Sequence, residues 1–148
     1  MSKTALYDRD FYAWANEQAG LLRAGKLAQA DIDHIAEEIE SMGKTEKREL
    51  ISRLTVLLLH MLKWEFQPAR RGASWEVSIG TQRRAIARHM ADNPSLKAKL
   101  PEAIEDAYVD ARSEAYAETG LAKASFPSTC PWTFEQMMDE NFWPETSH

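Results

Sequence analysis

The sequence predicts an all-α protein, an antiparallel bundle of four to five helices with a short C-terminal aromatic helical segment. Three observations predict it. Apolar residues recur at intervals of three and four through most of the chain, no stretch of useful length alternates apolar and polar residues, and glycine or proline stands where the helical pattern stops. The 148 residues are read as a single helical domain, 1–148, and 44% hydrophobic residues with five Trp provide for a core despite 28% charged residues.

Asp8 or Asp10 caps a first expected helix running to about Ala24, with Phe11, Trp14, Ala15, Leu21 and Leu22 on one side and Gly25 behind it. A second starts near Asp31, carries Ile32, Ile35, Ile39 and Met42, and stops at Gly43; its other face is acidic, with Asp33, Glu37 and Glu40. Thr45 caps the third and longest, whose Leu50, Leu54, Leu57, Met61 and Trp64 step four, three, four, three as a packed seam does. Ile51, Leu58 and Leu62 widen that stripe, which predicts a central helix over 45–66 touched from several sides. It ends before Pro68, whose ring removes a donor and crowds the turn before it.

Residues 67–73 read as a loop, after which Ser74 caps a fourth helix from Trp75 to about Asp92 with Trp75, Ile79, Ile86 and Met90 inward and Arg84 and Arg88 on the opposite side. Ser95 to Leu100 is a short turn between Pro94 and Pro101. A fifth helix, with Pro101 at its first position, reaches about Thr119 and presents Ile104, Ala107, Tyr108, Ala111 and Ala115 before Gly120 closes it. In the tail, Thr133 and Gln136 have capping-box spacing, flanked by Phe126, Trp132, Phe142 and Trp143.

Charge is segregated. Residues 1–62 carry 8 basic and 10 acidic side chains, 63–99 carry 8 and 3, and 100–148 carry 2 and 10, within a net charge of -5. The internal reading is that Arg70, Arg71, Arg83, Arg84 and Arg88 pair with Glu102, Glu105, Asp106 and Asp110 of the fifth helix; the external one is an anionic partner. Cys130 is the sole cysteine, so no intramolecular disulfide and no cysteine zinc cluster can form. The N-terminus lacks a basic start followed by an apolar run, and Val56 to Leu62 is interrupted by His60, so a cytoplasmic protein with no membrane partner is expected.

The blocks LYDRDFYAWANEQAGLLRAGKL, IAEEIESMG, LLLHMLKWEFQPARRGASW, QRR and AYAETGL followed by FPSTCPWTFEQMMDENFWP closely resemble the bacterial family named domain of unknown function 29, from about Leu6 to Pro144. The resemblance implies an all-helical fold and carries no activity and no catalytic residues. What it transfers is a signature: Glu37, Glu38, Glu40, His60, Lys63, Trp64, Arg70, Arg71, Trp75, Gln82 and Arg83.

The residues themselves suggest several chemistries. His34 and Glu38 stand four apart on one helix, and a hairpin at Gly43 would bring His60 near them, imidazole plus carboxylate suiting a divalent metal. His60 would still fall roughly 10 Å too far along, so no metal and no cofactor are expected. The same polar residues, Glu49, Arg53, His60, Lys63 and Gln67, are read as an ion-pair register facing Glu38 across that hairpin, with Glu49 and Arg53 an i,i+4 pair. The arginines with Trp64 or Trp75 suit nucleic acid, against an acidic chain and a break too long for a helix-turn-helix. Cys130 has no neighbouring histidine to activate it. With no catalytic constellation, the expected function is a non-catalytic protein-binding module acting on an unknown protein partner or as a homo-oligomer. A nucleic-acid-binding protein using Arg70 to Arg88 is the alternative, and a metal-dependent enzyme using His34, Glu38 or His60 the second.

Overall fold

The computed structural model describes residues 3–146, with side chains from Leu6 onward, and they form an all-α bundle without strands. Six α-helices follow in chain order: α1 (Lys3–Arg9), α2 (Phe11–Arg23), α3 (Ile32–Phe66), α4 (Ala73–Asp92), α5 (Leu100–Thr119) and α6 (Phe134–Met138). Short 3-10 turns at Leu27–Gln29, Pro68–Arg70, Pro94–Lys99 and Lys123–Ser125 join them. Two compact units divide the chain at residues 45 and 46.

In the first unit, the Asp10 carboxylate accepts the Ala13 N–H and so caps α2, while α1 precedes it as an additional helix that the periodicity did not reveal. The expected stop at Gly43 does not occur, because α3 runs through it without a break. A glycine inside a helix costs about 1 kcal/mol and ends it only if the chain also turns there. Thr45 is accordingly not a cap: its hydroxyl donates 3.0 Å back to the Ser41 carbonyl, the bond of a residue within a helix. The hairpin expected at Gly43, and the register across it, do not form.

The second unit is built on the second half of α3. Leu50, Leu54, Leu57, Leu58, Met61 and Leu62 are fully buried, as the four-three step predicts. Ile79 and Ile86 of α4 and a row of alanines on α5, Ala103, Ala107, Ala111 and Ala115, close on them. With methyl groups every fourth residue, α5 lets its neighbours approach closely. Gly72 in extended backbone precedes α4, so Ser74 lies within the first turn instead of capping it. Pro101 occupies the first turn of α5, and Gly120 ends that helix with φ 73°, a left-handed conformation that glycine adopts without strain.

The C-terminal segment completes this core with Phe126, Trp132 and Met137. The Tyr108 hydroxyl donates 2.6 Å to the Pro127 carbonyl, and burial pushes its pKa up to about 12. The Thr133–Gln136 capping box forms in full, each side chain bonded to the other's backbone N–H at 3.1 and 2.9 Å. Among the described residues no helix is long and apolar enough to cross a membrane.

Candidate functional site

Of the signature residues in the second unit, Trp64, Arg71 and Arg83 grip the C-terminal segment, while Lys63 and Trp75 contact one another. Arg83, only 3% exposed on the inner face of α4, donates 2.6 Å to the Met137 carbonyl and 2.8 Å to that of Phe142, and reaches Gln136 at 3.4 Å. Its guanidinium lies 5.5 Å from the Trp143 ring, which stacks at 4.5 Å on Trp64. Burial draws the Arg83 pKa below its ordinary value, and the nearby Asp139 and Glu140 oppose that shift. Arg71 covers the other partner of the pair: it lies 5.0 Å from the Trp64 ring, donates 2.6 Å to the Trp64 carbonyl and reaches the Thr146 hydroxyl at 2.7 Å. Lys63 sits 5.0 Å from the Trp75 ring and 3.8 Å from Glu118.

Two arginines of the basic region are therefore bound to backbone carbonyls and aromatic faces, not to the acids of α5 as the charge pattern suggested. Glu102 pairs instead with Lys47 at 3.0 Å, which lowers its carboxyl pKa. Arg70, Arg84 and Arg88 are exposed. Gln82 accepts from Arg53 at 3.4 Å, and Arg53 pairs with Glu49 at 3.2 Å as expected. His60 is half-buried and donates 2.8 Å to the Val56 carbonyl on its own helix. Among the described residues, the one group of histidine, cysteine and acidic side chains close enough to hold a metal ion is Glu46, Glu49 and His89, which includes none of His34, Glu38 and His60. Cys130 is half-buried, with its thiol pKa pushed up by burial, the opposite of what a nucleophile needs.

A constellation not foreseen from the sequence lies where α3 and α4 meet. Glu46 and Glu49 stand three apart on α3, and the buried His89 of α4 reaches both. The His89 Nδ1 is 3.0 Å from Glu49 Oε2, while its Nε2 is 2.8 Å from the Glu46 carbonyl and 3.6 Å from Glu46 Oε2. They line an open cleft of about 440 Å³ shared with Arg53, Arg88 and Asp92. Glu46-x-x-Glu49 was visible in the sequence; that His89, forty residues on, would close over it was not.

In the first unit the polar residues are occupied by one another. Asp31 is buried and accepts from the Trp14 indole at 3.0 Å and from His34 Nδ1 at 2.8 Å, while its backbone N–H donates 2.7 Å to Gln18. The Tyr7 ring stacks on His34 at 3.9 Å, and its hydroxyl donates to Glu38, which raises the Tyr7 pKa to about 12. Burial raises the Asp31 pKa, but the hydrogen bonds from His34 and Trp14 outweigh it and hold the carboxyl below 3.8; the bond to Asp31 raises that of His34 above 6.5. A raised histidine contributes stability present in full below its unfolded pKa and lost as pH rises through the folded one. A lowered carboxylate contributes stability present above its unfolded pKa and lost as pH falls through the folded one. The pair therefore supports this unit best between the ordinary Asp and His values. An NMR titration of the His34 imidazole is expected to give a midpoint above the ordinary histidine value that falls on Asp31→Asn; a midpoint unchanged by that substitution contradicts the pairing.

Exposed Glu37 lies on this unit too, as does the feature that sets it apart from the second. Of the ten large exposed apolar side chains among the described residues, seven belong to it, including Ile32 at 52%, Ile39 at 58% and Met42 at 62% exposure. Ile32, Ala36, Ile39 and Gly43 repeat the four, three, four step of Leu50, Leu54, Leu57 and Met61, yet all four are exposed. A methyl group added at Gly43 would meet nothing within 4 Å.

A family model described as Domain of unknown function DUF29 matches residues 6–143. No curated protein and no solved structure matches the chain.

Proposed function

The chain belongs to the family described as Domain of unknown function DUF29, and we propose that it works as a non-catalytic docking module whose first unit pairs with a second copy of itself. The observation that carries this reading is the exposed apolar row on the first four turns of α3. Burying such a row is favourable in proportion to its apolar area, and an isolated amphipathic face of this kind is how helices recognise one another.

A second copy is favoured over an unrelated helix because the row is complementary to itself. In an antiparallel pairing about a two-fold axis level with Glu37 and Glu38, Ile32 stands opposite Gly43 of the second copy and Ala36 opposite Ile39. Each bulky side chain then meets a small one, which suits helices packed about 8 Å apart. Lys44 comes level with the acidic first turns near Asp33 of the other copy, whereas a parallel pairing would set each acid against itself. Twelve residues of helix bury less than the roughly 1,200 Å² of a stable complex, so the association is weak, with a Kd of about 1 to 100 µM.

Sedimentation analysis of the full chain from low to high concentration tests this. The expected result is a reversible monomer–dimer equilibrium that Ile39→Glu abolishes while the thermal transition of the second unit is unchanged. A chain that stays monomeric throughout the range, or an Ile39→Glu variant that dimerises like the parent, overturns the proposal. Saturable, salt-sensitive binding of random-sequence RNA or DNA by the parent, lost on Arg70→Ala with Arg84→Ala, would replace it with the nucleic-acid reading.

A further inference from the structure

The cleft between α3 and α4 asks for a cation. The His89 Nε2–H donates to the Glu46 backbone carbonyl at 2.8 Å, which fixes the ring and leaves Nδ1 as the free nitrogen. That nitrogen points at the Glu49 carboxylate from 3.0 Å. A neutral imidazole in this tautomer would set a lone pair against a negative oxygen, so the contact needs a positive charge between the two groups, either a proton or a metal.

We propose that Glu46, Glu49 and His89 bind a divalent transition-metal cation such as Zn²⁺, with water completing its coordination. Four features favour the metal over the proton. One donor atom from each of the three residues lies within 4.8 Å of the others, close enough to share one ion. Ligands held about 2.1 Å from a tetrahedral metal stand about 3.4 Å apart, so the 3.0 Å between Nδ1 and Glu49 Oε2 has to open by only a few tenths of an ångström to admit one. The groups behind the donors are those that orient metal ligands: a backbone carbonyl accepts from the other histidine nitrogen, and Arg53 holds the second oxygen of Glu49 at 3.2 Å. The cleft is open, with Asp92 on its rim, so water or a fourth carboxylate can reach the ion. Two carboxylates and one imidazole are a donor set suited to zinc and its neighbours and poorly suited to a soft cation.

Zinc titration of the untagged full chain, followed by calorimetry and by the ¹⁵N resonances of the histidine rings, distinguishes the two. The expected result is one saturable Zn²⁺ site, with the His89 Nδ1 resonance moving to the metal-bound range while Nε2 stays protonated. Glu49→Gln and Glu46→Gln, which keep side-chain shape, each weaken binding about 10- to 100-fold. The resonances are read on the parent chain, so the test does not depend on a variant that folds. No saturable uptake, a zinc-induced shift in another histidine with His89 unmoved, or a His89 ring that keeps protons on both nitrogens in excess Zn²⁺ overturns the proposal.

Discussion

Arg83→Ala is expected to lower the stability of the second unit by about 3 to 5 kcal/mol and to free the C-terminal segment from it. Its guanidinium donates to two carbonyls from different turns of that segment, Met137 and Phe142. Hydrogen bonds from a charged donor contribute about 1.5 to 3 kcal/mol each, and an acceptor left buried without a donor costs a further share. The depressed pKa of Arg83 shows that desolvation already offsets part of this gain, which keeps the expected loss below the sum of the bonds. Arg83→Lys recovers only part of it, because one ammonium cannot span the fork that a planar guanidinium presents. Denaturant unfolding gives the magnitude, and amide exchange gives the place. Exchange should rise in residues 134–143 before it rises in α3; uniform exchange across the unit would mean that Arg83 is an ordinary core residue and not an anchor.

Leu57→Ala is expected to cost about 3 to 4 kcal/mol, since a fully buried leucine in a helix gripped from several sides leaves a cavity that its neighbours cannot fill. Val109→Ala on α5 is the control. Val109 is mostly exposed, and its truncation should change stability by no more than about 0.5 kcal/mol. Urea midpoints of the two variants decide it, and equal effects would place the core elsewhere than along α3.

Local rules account for what could be read from the sequence. The seam from Leu50 to Met61 was legible because its spacing has one structural meaning, and the Thr133 capping box because both partners lie within one turn. Gly43 misled, since a glycine marks a stop only when the chain turns after it, and residues on both sides prefer to continue the helix. Arg83 could be recognised as a signature residue but not as an anchor, because the groups it binds are backbone carbonyls more than fifty residues away, which leave no mark on the sequence. His89 was missed for a related reason: its two carboxylates are brought to it by the packing of α4 on α3. The apolar spacing of Ile32, Ile39 and Met42 was legible but their exposure was not, because periodicity reports that a helix has an apolar side and not whether anything covers it.

Cysteine cross-linking tests the proposed pairing most directly. One chain would carry Ala36→Cys and another Ile39→Cys, both in a Cys130→Ser background. Mixed under mild oxidation, they are expected to form predominantly the 36–39 heterodisulfide, since those positions face each other across the antiparallel two-fold. Cross-links confined to 36–36 and 39–39 pairs, or no cross-link above the level given by Ser113→Cys on α5, would contradict it.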